Sequence, residues 1–328
     1  MSDTTAQGSL CRVAACVSQA VRQAGTPAAT HKPATLCCMA KHAWLLILAL
    51  LIAGCPSRPA LVPLEPLPLD RAIEVVNENT ARLTTGLKAT GPVRGEVRIS
   101  DGSKHSFDLS GKLLLIPPYH LRFDVQNALG RTEFLLGSNA DHFWLHVERD
   151  EDTFRFGRHA TPEDERAVEL PIRPDWMIEA LGLNTLPTDT TGPAGPIQTV
   201  EHDHQRLLFI THDDDGQGMI RKEYWLSRYR PRLIERVVYR DDTGVELMHS
   251  QLIDYRRQDE TGLLLPRRMR LEWPTQDSWI EFRVRRWQER GDLSCELPAF
   301  QLDAPEVLRQ RYRQVIDIDS GHTFGPAP

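Results

Sequence analysis

Residues 119–125 read YHLRFDV, and they are the clearest structural signal in the chain. Apolar side chains at positions 119, 121, 123 and 125 alternate with polar ones at 120, 122 and 124. A period of two is typical of a β-strand that buries one face. Pro117-Pro118 precedes the stretch and the turn-forming run Asn127–Gly130 follows it. The stretch therefore predicts a strand bounded by turns.

The same alternation recurs on both sides of this strand. The clearest further segments are Val93–Ile99, Phe107–Leu115, Phe134–Leu136, Phe143–Val147, Phe154–Phe156, Leu207–Phe209, Ile220–Leu226, Leu233–Tyr239, Val245–Tyr255, Leu263–Trp273 and Ile280–Val284. The pattern predicts roughly ten to twelve strands without the strand–helix–strand alternation of βαβ units. It therefore predicts an antiparallel sheet with one face exposed to solvent. So many strands must curl or close, which leaves a concave apolar face for helices, a ligand or both to cover.

Helical spacing is confined to three segments. After Asp70, an expected N-cap, apolar residues and one threonine follow at intervals of three and four, and Gly91-Pro92 ends this helix at the latest. The stripe consists of Ile73, Val76, Thr80, Leu83 and Leu87. Pro174–Leu183 is predicted as a short second helix, and Asp303–Glu306 as the start of a third.

The front of the chain has the order of a signal peptide. The basic start Met39–His42 precedes eleven apolar residues, Ala43–Ala53, a run shorter than the roughly 20 residues that span a bilayer. Ile52-Ala53-Gly54-Cys55 resembles the lipobox of bacterial lipoproteins. That resemblance implies that Cys55 receives a diacylglyceryl group on its sulfur and becomes the new N-terminus. The alternative is a buried segment that ends in a chance cysteine.

The residues after Cys55 are rich in proline. Five prolines between positions 56 and 68 predict a stiff, extended tether or, alternatively, a disordered leader. Pro56 stands where an aspartate would favour inner-membrane retention in some bacteria, which favours the outer membrane. The predicted organisation is a non-native extension at 1–38 with Met39 as the true start, a lipoprotein signal peptide at 39–54, the lipidated cysteine and tether at 55–69, one domain at 70–300 and a C-terminal helix and tail at 301–328.

Charge and cysteine content limit the function classes. Four of the 39 basic and one of the 45 acidic side chains precede residue 55, so the remaining chain has a net charge of −9. This argues against a nucleic-acid partner. Four of the six cysteines also precede Cys55, so only Cys295 remains after it and no internal disulfide is expected.

Several residues together resemble the lipoprotein-sorting fold of the LolA and LolB carriers and the LppX/LprG-type lipid carriers. They are Gly111-Lys112-Leu113, Pro117-Pro118, Leu121-Arg122-Phe123, Gly137, Trp144 and Gly262–Pro266. The resemblance covers about residues 70–290. It implies a mainly β (α+β) fold, in which a strongly curved antiparallel sheet forms an incomplete barrel and two or three helices cover its concave face. It also implies an apolar cavity that takes acyl chains.

Eight apolar residues are the candidates for the cavity lining. They are Tyr119, Leu121, Phe123, Val125, Phe134, Leu136, Phe143 and Leu145. If they instead fill the interior, the domain has a plain packed core and no room for a ligand.

The sequence offers no catalytic signature. It lacks a G-x-S-x-G elbow, a P-loop and a dinucleotide fingerprint, so we predict no catalytic residue and no cofactor. His202, Asp203, His204 and His212 are ligand types for a metal, but they flank a turn where they are ordinary residues, and no metal is predicted. Chain positions 120 and 146 are histidines on polar strand faces, where a solvated side chain is expected.

A second candidate surface lies near the C-terminus. It contains arginines at 268, 270, 283 and 285, with Trp279 and Trp287 beside them. These residues form either a basic aromatic patch that binds lipid headgroups or an anionic partner, or a solvated outer face on which the arginine stems cover apolar surface.

The predicted function is that of a non-enzymatic, lipid-anchored envelope protein, at the outer membrane and facing the periplasm, that binds lipid or lipoprotein cargo. The alternative is a structural or assembly platform with a filled core and an envelope protein partner; a hydrolase or a metal-binding protein ranks below both.

Overall fold

The computed structural model describes residues 62–98, 102–148, 152–159, 174–190, 195–212, 216–290 and 297–325. All of them belong to one compact unit, Leu61–Pro328. None of the helices in these described ranges is long and apolar enough to cross a membrane.

The described residues form sixteen strands that join in a single open sheet. The strands are β1 (Gly86–Arg98), β2 (Lys104–Ile116), β3 (His120–Gln126), β4 (Thr132–Ser138), β5 (His142–Val147), β6 (Thr153–Arg158), β7 (Ile197–Val200), β8 (His204–His212), β9 (Gly218–Ser227), β10 (Ile234–Arg240), β11 (Glu246–Arg257), β12 (Leu264–Trp273), β13 (Ser278–Arg283), β14 (Arg286–Arg290), β15 (Gln314–Asp317) and β16 (His322–Phe324). The predicted strand at residues 119–125 is β3, and the predicted mainly β, incomplete curved sheet is confirmed.

Neighbouring strands in the chain are mostly neighbours in the sheet. The order is β16-β15-β6-β5-β4-β3-β2-β1-β13-β12-β11-β10-β9-β8-β7, with β14 beside β1. All pairs are antiparallel except β15 with β6, which is parallel. The structure thus has more strands than predicted, because β7, β14, β15 and β16 are only three to five residues long and carry too little alternation to be recognised. The predicted C-terminal tail is in fact part of the sheet.

Strand β1 passes through Gly91-Pro92, where the sequence predicted the end of a helix. Before this point β1 pairs with β14, and after it with β13. A Cβ atom on Gly91 would lie 1.9 Å from the backbone oxygen of Arg283, so only glycine allows the strands to approach this closely. Pro92, which has no N–H to donate, lies where β1 changes partner.

Within the described ranges, three α-helices accompany the sheet: α1 (Leu69–Thr80), α2 (Pro174–Ala180) and α3 (Pro305–Arg311). The predicted stripe of α1 is buried at Ile73, Val76 and Thr80. The prediction of Asp70 as N-cap was wrong. The helix begins one residue earlier, after Pro68, and the carboxylate lies in the first turn, where it complements the helix dipole. The helix also ends before Leu83 and Leu87, and Leu87 belongs to β1.

Residues 62–68 run extended along the sheet before α1 begins. The N–H of Leu64 donates to the Arg228 oxygen, and that of Leu67 donates to Oε1 of Gln205. Arg232 donates to the Glu65 oxygen. The described part of the predicted tether is therefore bound to the domain.

Apolar side chains form one core on each face of the sheet. The inner face, which we define as the face that α1 and α2 cover, carries the larger core. The outer face of β4, β5 and β6 carries a smaller one, centred on Leu135, Trp144 and Phe154. Residues 297–325, here called the C-terminal cover, close this second core with Leu308 and Val315.

Candidate functional site

Seven of the eight predicted lining residues come together on the inner face of β3, β4 and β5. Six of them are at most 6% exposed and belong to the inner core, and Phe134 packs against it. The aromatic rings interlock: the Phe123 centroid lies 6.2 Å from that of Phe134 and 5.2 Å from that of Phe282. Tyr119 differs, because it lies in the turn before β3, is 53% exposed, and has its ring 6.4 Å from that of His159.

Helices α1 and α2 and the segment after α2 supply the apolar cover of this face. The buried side chains of the cover are Ala72, Ile73, Val76, Met177, Ile178, Leu181, Leu183 and Leu186. They form one continuous cluster with the sheet residues, so the inner face is packed against protein side chains in this structure.

Two asparagines fasten α1 to its surroundings by the same arrangement. Asn79 donates from Nδ2 to the Leu264 oxygen at 3.1 Å and accepts from the Leu264 N–H at 2.9 Å. Asn77 makes the equivalent pair with Leu186, at 3.0 and 2.8 Å. Each side-chain amide therefore acts like a strand neighbour and satisfies both backbone groups of one residue. Together they join α1 to β12 and to the segment that follows α2.

A polar cluster holds α2 on the sheet. Glu179 on α2 forms an ion pair with Lys222 of β9 and accepts from the Tyr239 hydroxyl at 2.6 Å. The Trp176 ring stacks on Tyr239 with centroids 4.7 Å apart. Burial, followed by the charge of Glu179, raises the pKa of Tyr224 well above its ordinary value, so its hydroxyl stays protonated. These contacts add an ion pair and hydrogen bonds to an otherwise apolar interface between α2 and the sheet.

The sequence reasoning missed these fastening residues. Asparagine has a low helix propensity because its side chain competes for backbone hydrogen bonds, so Asn77 and Asn79 within the helical pattern were a usable signal. Glu179 offered none, because one carboxylate on a short helix is an ordinary surface residue. Its role depends on Lys222 and Tyr239, which are distant in the sequence.

Two arginines of the predicted patch, Arg270 and Arg283, lie on the outer face and form ion pairs with acidic side chains. Arg270 stacks over Trp279, 4.2 Å from the ring centroid, and pairs with Glu272 at 2.6 Å. The Arg283–Glu281 pair lies at 2.5 Å on the neighbouring strand. This arrangement favours the interpretation as a solvated, charge-paired face. Trp287 does not join it: the indole is buried and donates to the Pro266 oxygen, because β14 turns this residue inward.

The histidines that were weighed as ligands do not share one site. His202 pairs with Asp203 at 2.7 Å, His204 pairs with Glu235 at 2.9 Å, and His212 is exposed at the end of β8. The expectation that His146 is solvated was wrong, because the C-terminal cover lies over its strand face and leaves it 2% exposed. His120 is likewise half-buried, with its ring 5.5 Å from that of Phe300.

Cys55, the predicted site of lipid attachment, lies outside the described residues, as does Cys295. The domain boundaries predicted before residue 62 fall outside them as well.

No protein-family model matches the sequence, and a search of the curated proteins gives no match. Among solved structures, the chain is similar to a LolA superfamily protein from Nitrosomonas europaea, with 11% identity over 70% of this chain and 98% of that one and a TM-score of 0.42. A putative outer membrane lipoprotein-sorting protein domain from Vibrio parahaemolyticus is 13% identical over 67% of this chain and 93% of that one, with a TM-score of 0.40. A DUF1329 family protein from Desulfovibrio piger is 11% identical over 72% of this chain and 100% of that one, with a TM-score of 0.44.

Proposed function

We propose that this protein is a lipid-anchored protein of the bacterial envelope that binds acyl chains, of lipids or of lipoproteins, on the inner face of its sheet. The observation that carries the proposal is the broad apolar inner face covered by two short helices. An acyl chain offers no polar groups to recognise, so an apolar face under a cover is the chemistry it requires. The proposal includes no catalytic step.

Binding at this face requires the cover to move, because the described side chains pack against one another. Helix α2 is the element that we expect to move. It has seven residues, and a helix of that length has little stability without tertiary contacts. Its polar hold on the sheet depends on Glu179, which contacts Lys222 and Tyr239. Loss of these contacts would release α2 and expose the apolar side chains of the sheet beneath it.

The membrane anchor in this proposal is the lipid on Cys55. Six residues lie between Cys55 and Val62, where the described chain begins, and seven steps of ~3.1 Å would span about 22 Å. The domain would therefore be held close to the membrane surface. We place it at the outer membrane, facing the periplasm, with lipid or lipoprotein cargo and an envelope protein as partners.

A second candidate function is a non-catalytic assembly platform with a filled core. The continuous packing of α1 and α2 with the sheet favours it, because this packing leaves the inner face covered. In that case the partner would bind an outer surface, and nothing would enter the interior.

Mass spectrometry under native conditions distinguishes the two functions. The chain beginning at Pro56 would be purified from bacterial cells without detergent and analysed for bound lipid. The carrier function predicts a co-purified species of lipid mass, and a fluorescent fatty acid that competes with it. Glu179→Gln should increase uptake of the fatty acid, since it weakens the hold on α2.

Glu272→Gln is the matched control, because it also removes an ion-pairing carboxylate but lies on the outer face. Uptake by this variant should equal that of the parent chain. If neither the parent nor the Glu179 variant carries or takes up lipid, the carrier function is wrong and the platform remains.

A further inference from the structure

The outer face holds a cluster of metal-ligand side chains at the end of the β5–β6 hairpin. His146 lies on β5, Glu148 follows that strand, and Asp152 precedes β6. One ligand atom from each of the three lies within 4.8 Å of the others. The carboxylates are about one third exposed, at 34% and 35%, whereas the imidazole is 2% exposed. The cluster therefore combines an accessible acidic rim with a buried nitrogen.

The hydrogen bonding of His146 leaves Nε2, the ring nitrogen that faces the two carboxylates, without a donor. Nδ1 lies 3.3 Å from the Thr153 backbone oxygen, to which it donates. In the neutral ring Nε2 then carries a lone pair. That atom faces Oε2 of Glu148 at 3.5 Å and Oδ1 of Asp152 at 3.9 Å, and both are acceptors as well. Nε2 and these two carboxylate oxygens thus converge as three acceptors, an arrangement that a cation between them would satisfy, while Oε1 of Glu148 accepts from Arg131 at 3.1 Å.

The two distances from Nε2 suit a small divalent cation, and the two carboxylates lie within 4.8 Å of each other. Zn²⁺ binds nitrogen and oxygen ligands at about 2.0–2.2 Å, so the ligands of a tetrahedral site lie roughly 3.3–3.6 Å apart. The two distances from Nε2 are within a few tenths of an ångström of that range. A histidine that donates its other ring N–H to a backbone oxygen is also the usual arrangement of a metal ligand. Two carboxylates balance the charge of the ion.

We propose that His146, Glu148 and Asp152 bind Zn²⁺, with the fourth position open to water. The site would join the hairpin to the C-terminal cover. Oδ2 of Asp152 accepts from the Arg313 N–H at 3.1 Å, and the Tyr312 ring lies 4.5 Å from that of His146. Bound metal therefore holds the loop against residues 312–313 and stabilises the outer core. This site lies on the face opposite the proposed lipid-binding surface and does not depend on that function.

Calorimetric titration of the full chain tests the proposal. The chain would be purified in detergent, stripped with a chelator and titrated with ZnCl₂. We expect one ion per chain, and we expect Glu148→Gln and Asp152→Asn each to weaken binding by more than about tenfold. Zinc should raise the melting temperature of the parent chain and leave that of the Glu148 variant unchanged.

His202→Gln is the control for adventitious binding, because His202 is exposed and also lies beside a carboxylate. It should bind zinc as the parent does. Co²⁺ should give the visible absorption of a tetrahedral site in the parent chain and in the His202 variant, but not in the Glu148 and Asp152 variants. The proposal is wrong if the Glu148 and Asp152 variants, shown to be folded by circular dichroism, bind zinc as tightly as the parent. It is equally wrong if the His202 variant loses zinc binding, or if the parent chain binds no zinc.

Discussion

Gly137 faces Trp144 across the β4–β5 pair, and the indole occupies the space that a side chain at 137 would fill. A Cβ atom there would lie 2.1 Å from Cε2 of Trp144. Both residues were among those that resemble the lipoprotein-sorting fold, and the structure shows that they pack against each other. Trp144 lies at the centre of the outer core, where the C-terminal cover prevents it from moving away.

Gly137→Ala should therefore destabilise the domain. Overpacking by one methyl group in a filled core costs about 1–3 kcal/mol. Urea denaturation followed by tryptophan fluorescence would measure the loss in the free energy of unfolding. Gly325→Ala, where the added Cβ atom meets open space, is the control and should have no measurable effect. Equal stability of the two variants would show that Trp144 can shift.

Glu223 shows how a buried charge can be kept on the outer face. Its side chain is 1% exposed and lies between Arg206 at 2.7 Å and Arg240 at 2.7 Å, with the Trp225 Nε1 donating to it at 3.0 Å. Burial alone would raise the pKa of Glu223, but the hydrogen bonds from Arg240, Arg206 and Trp225 outweigh it and the pKa is lowered. The alternation of β9 predicted only an ordinary exposed position.

This carboxylate should make stability depend on pH. Because its pKa in the folded chain lies below the ordinary value of 4.5, its contribution is complete above about pH 4.5 and is lost as the pH falls through the folded pKa. Glu223→Gln should cost about 3 kcal/mol at pH 7, since two arginines lose their charged partner. The difference from the parent chain should narrow toward pH 3.

Urea denaturation at several pH values measures this difference. Asp108→Asn removes one partner of the exposed Arg94 pair, and the change should stay below about 0.5 kcal/mol at every pH. A difference between the Glu223 variant and the parent that does not change with pH would contradict the assignment.

At the scale of elements, α1 is held by hydrogen bonds as much as by its apolar stripe. The stripe determines which face of the helix is buried, but it leaves the position along the axis open. The paired bonds of Asn77 and Asn79 to Leu186 and Leu264 fix that position. Helix α1 is thus bound to β12 through Asn79 and to the segment that follows α2 through Asn77.

Asn79→Ala should destabilise the domain by about 2–3 kcal/mol, because both backbone groups of Leu264 lose their partner in a largely buried setting. Amide hydrogen exchange should become faster in α1 and at the start of β12 and stay unchanged in β4 and β5. Glu74→Ala, at an exposed position of the same helix, is the control and should stay within about 0.5 kcal/mol. Unchanged exchange in α1 would indicate that the apolar stripe alone holds it.

At the scale of the whole molecule, one sheet has a core on each face. The inner core lies under α1 and α2, and the outer core lies under the C-terminal cover, which also adds β15 to β6. The cover therefore both closes the outer core and extends the edge of the sheet. Without it, three large apolar side chains, Leu135, Trp144 and Phe154, would face water.

Removal of residues 297–328 should produce a chain that binds a hydrophobic dye and self-associates, because exposed apolar patches of this kind promote association. Size-exclusion chromatography and dye fluorescence would measure both effects. Removal of residues 326–328 alone is the control and should leave the elution volume unchanged. A monomeric, dye-free product of the longer truncation would show that the outer core needs no cover.

Local patterns predicted the strand character of the chain, the buried stripe of α1 and the inward set Leu121, Phe123 and Val125. The pleat and the helical turn repeat every two and 3.6 residues, so these features are readable from neighbouring residues alone. The same patterns did not predict that β1 continues through Gly91-Pro92, nor that the C-terminal tail joins the sheet.

The candidate sites depended on contacts that no local pattern contains. Glu179 with Lys222, Asn79 with Leu264, and His146 under Tyr312 each join residues more than 40 positions apart. A histidine on a polar strand face is solvated unless another segment covers it, and the sequence of the strand does not say which segment will. Periodicity thus decided which way each side chain faces, whereas long-range packing decided what it meets there, because burial and pairing are set by the partners that folding brings together.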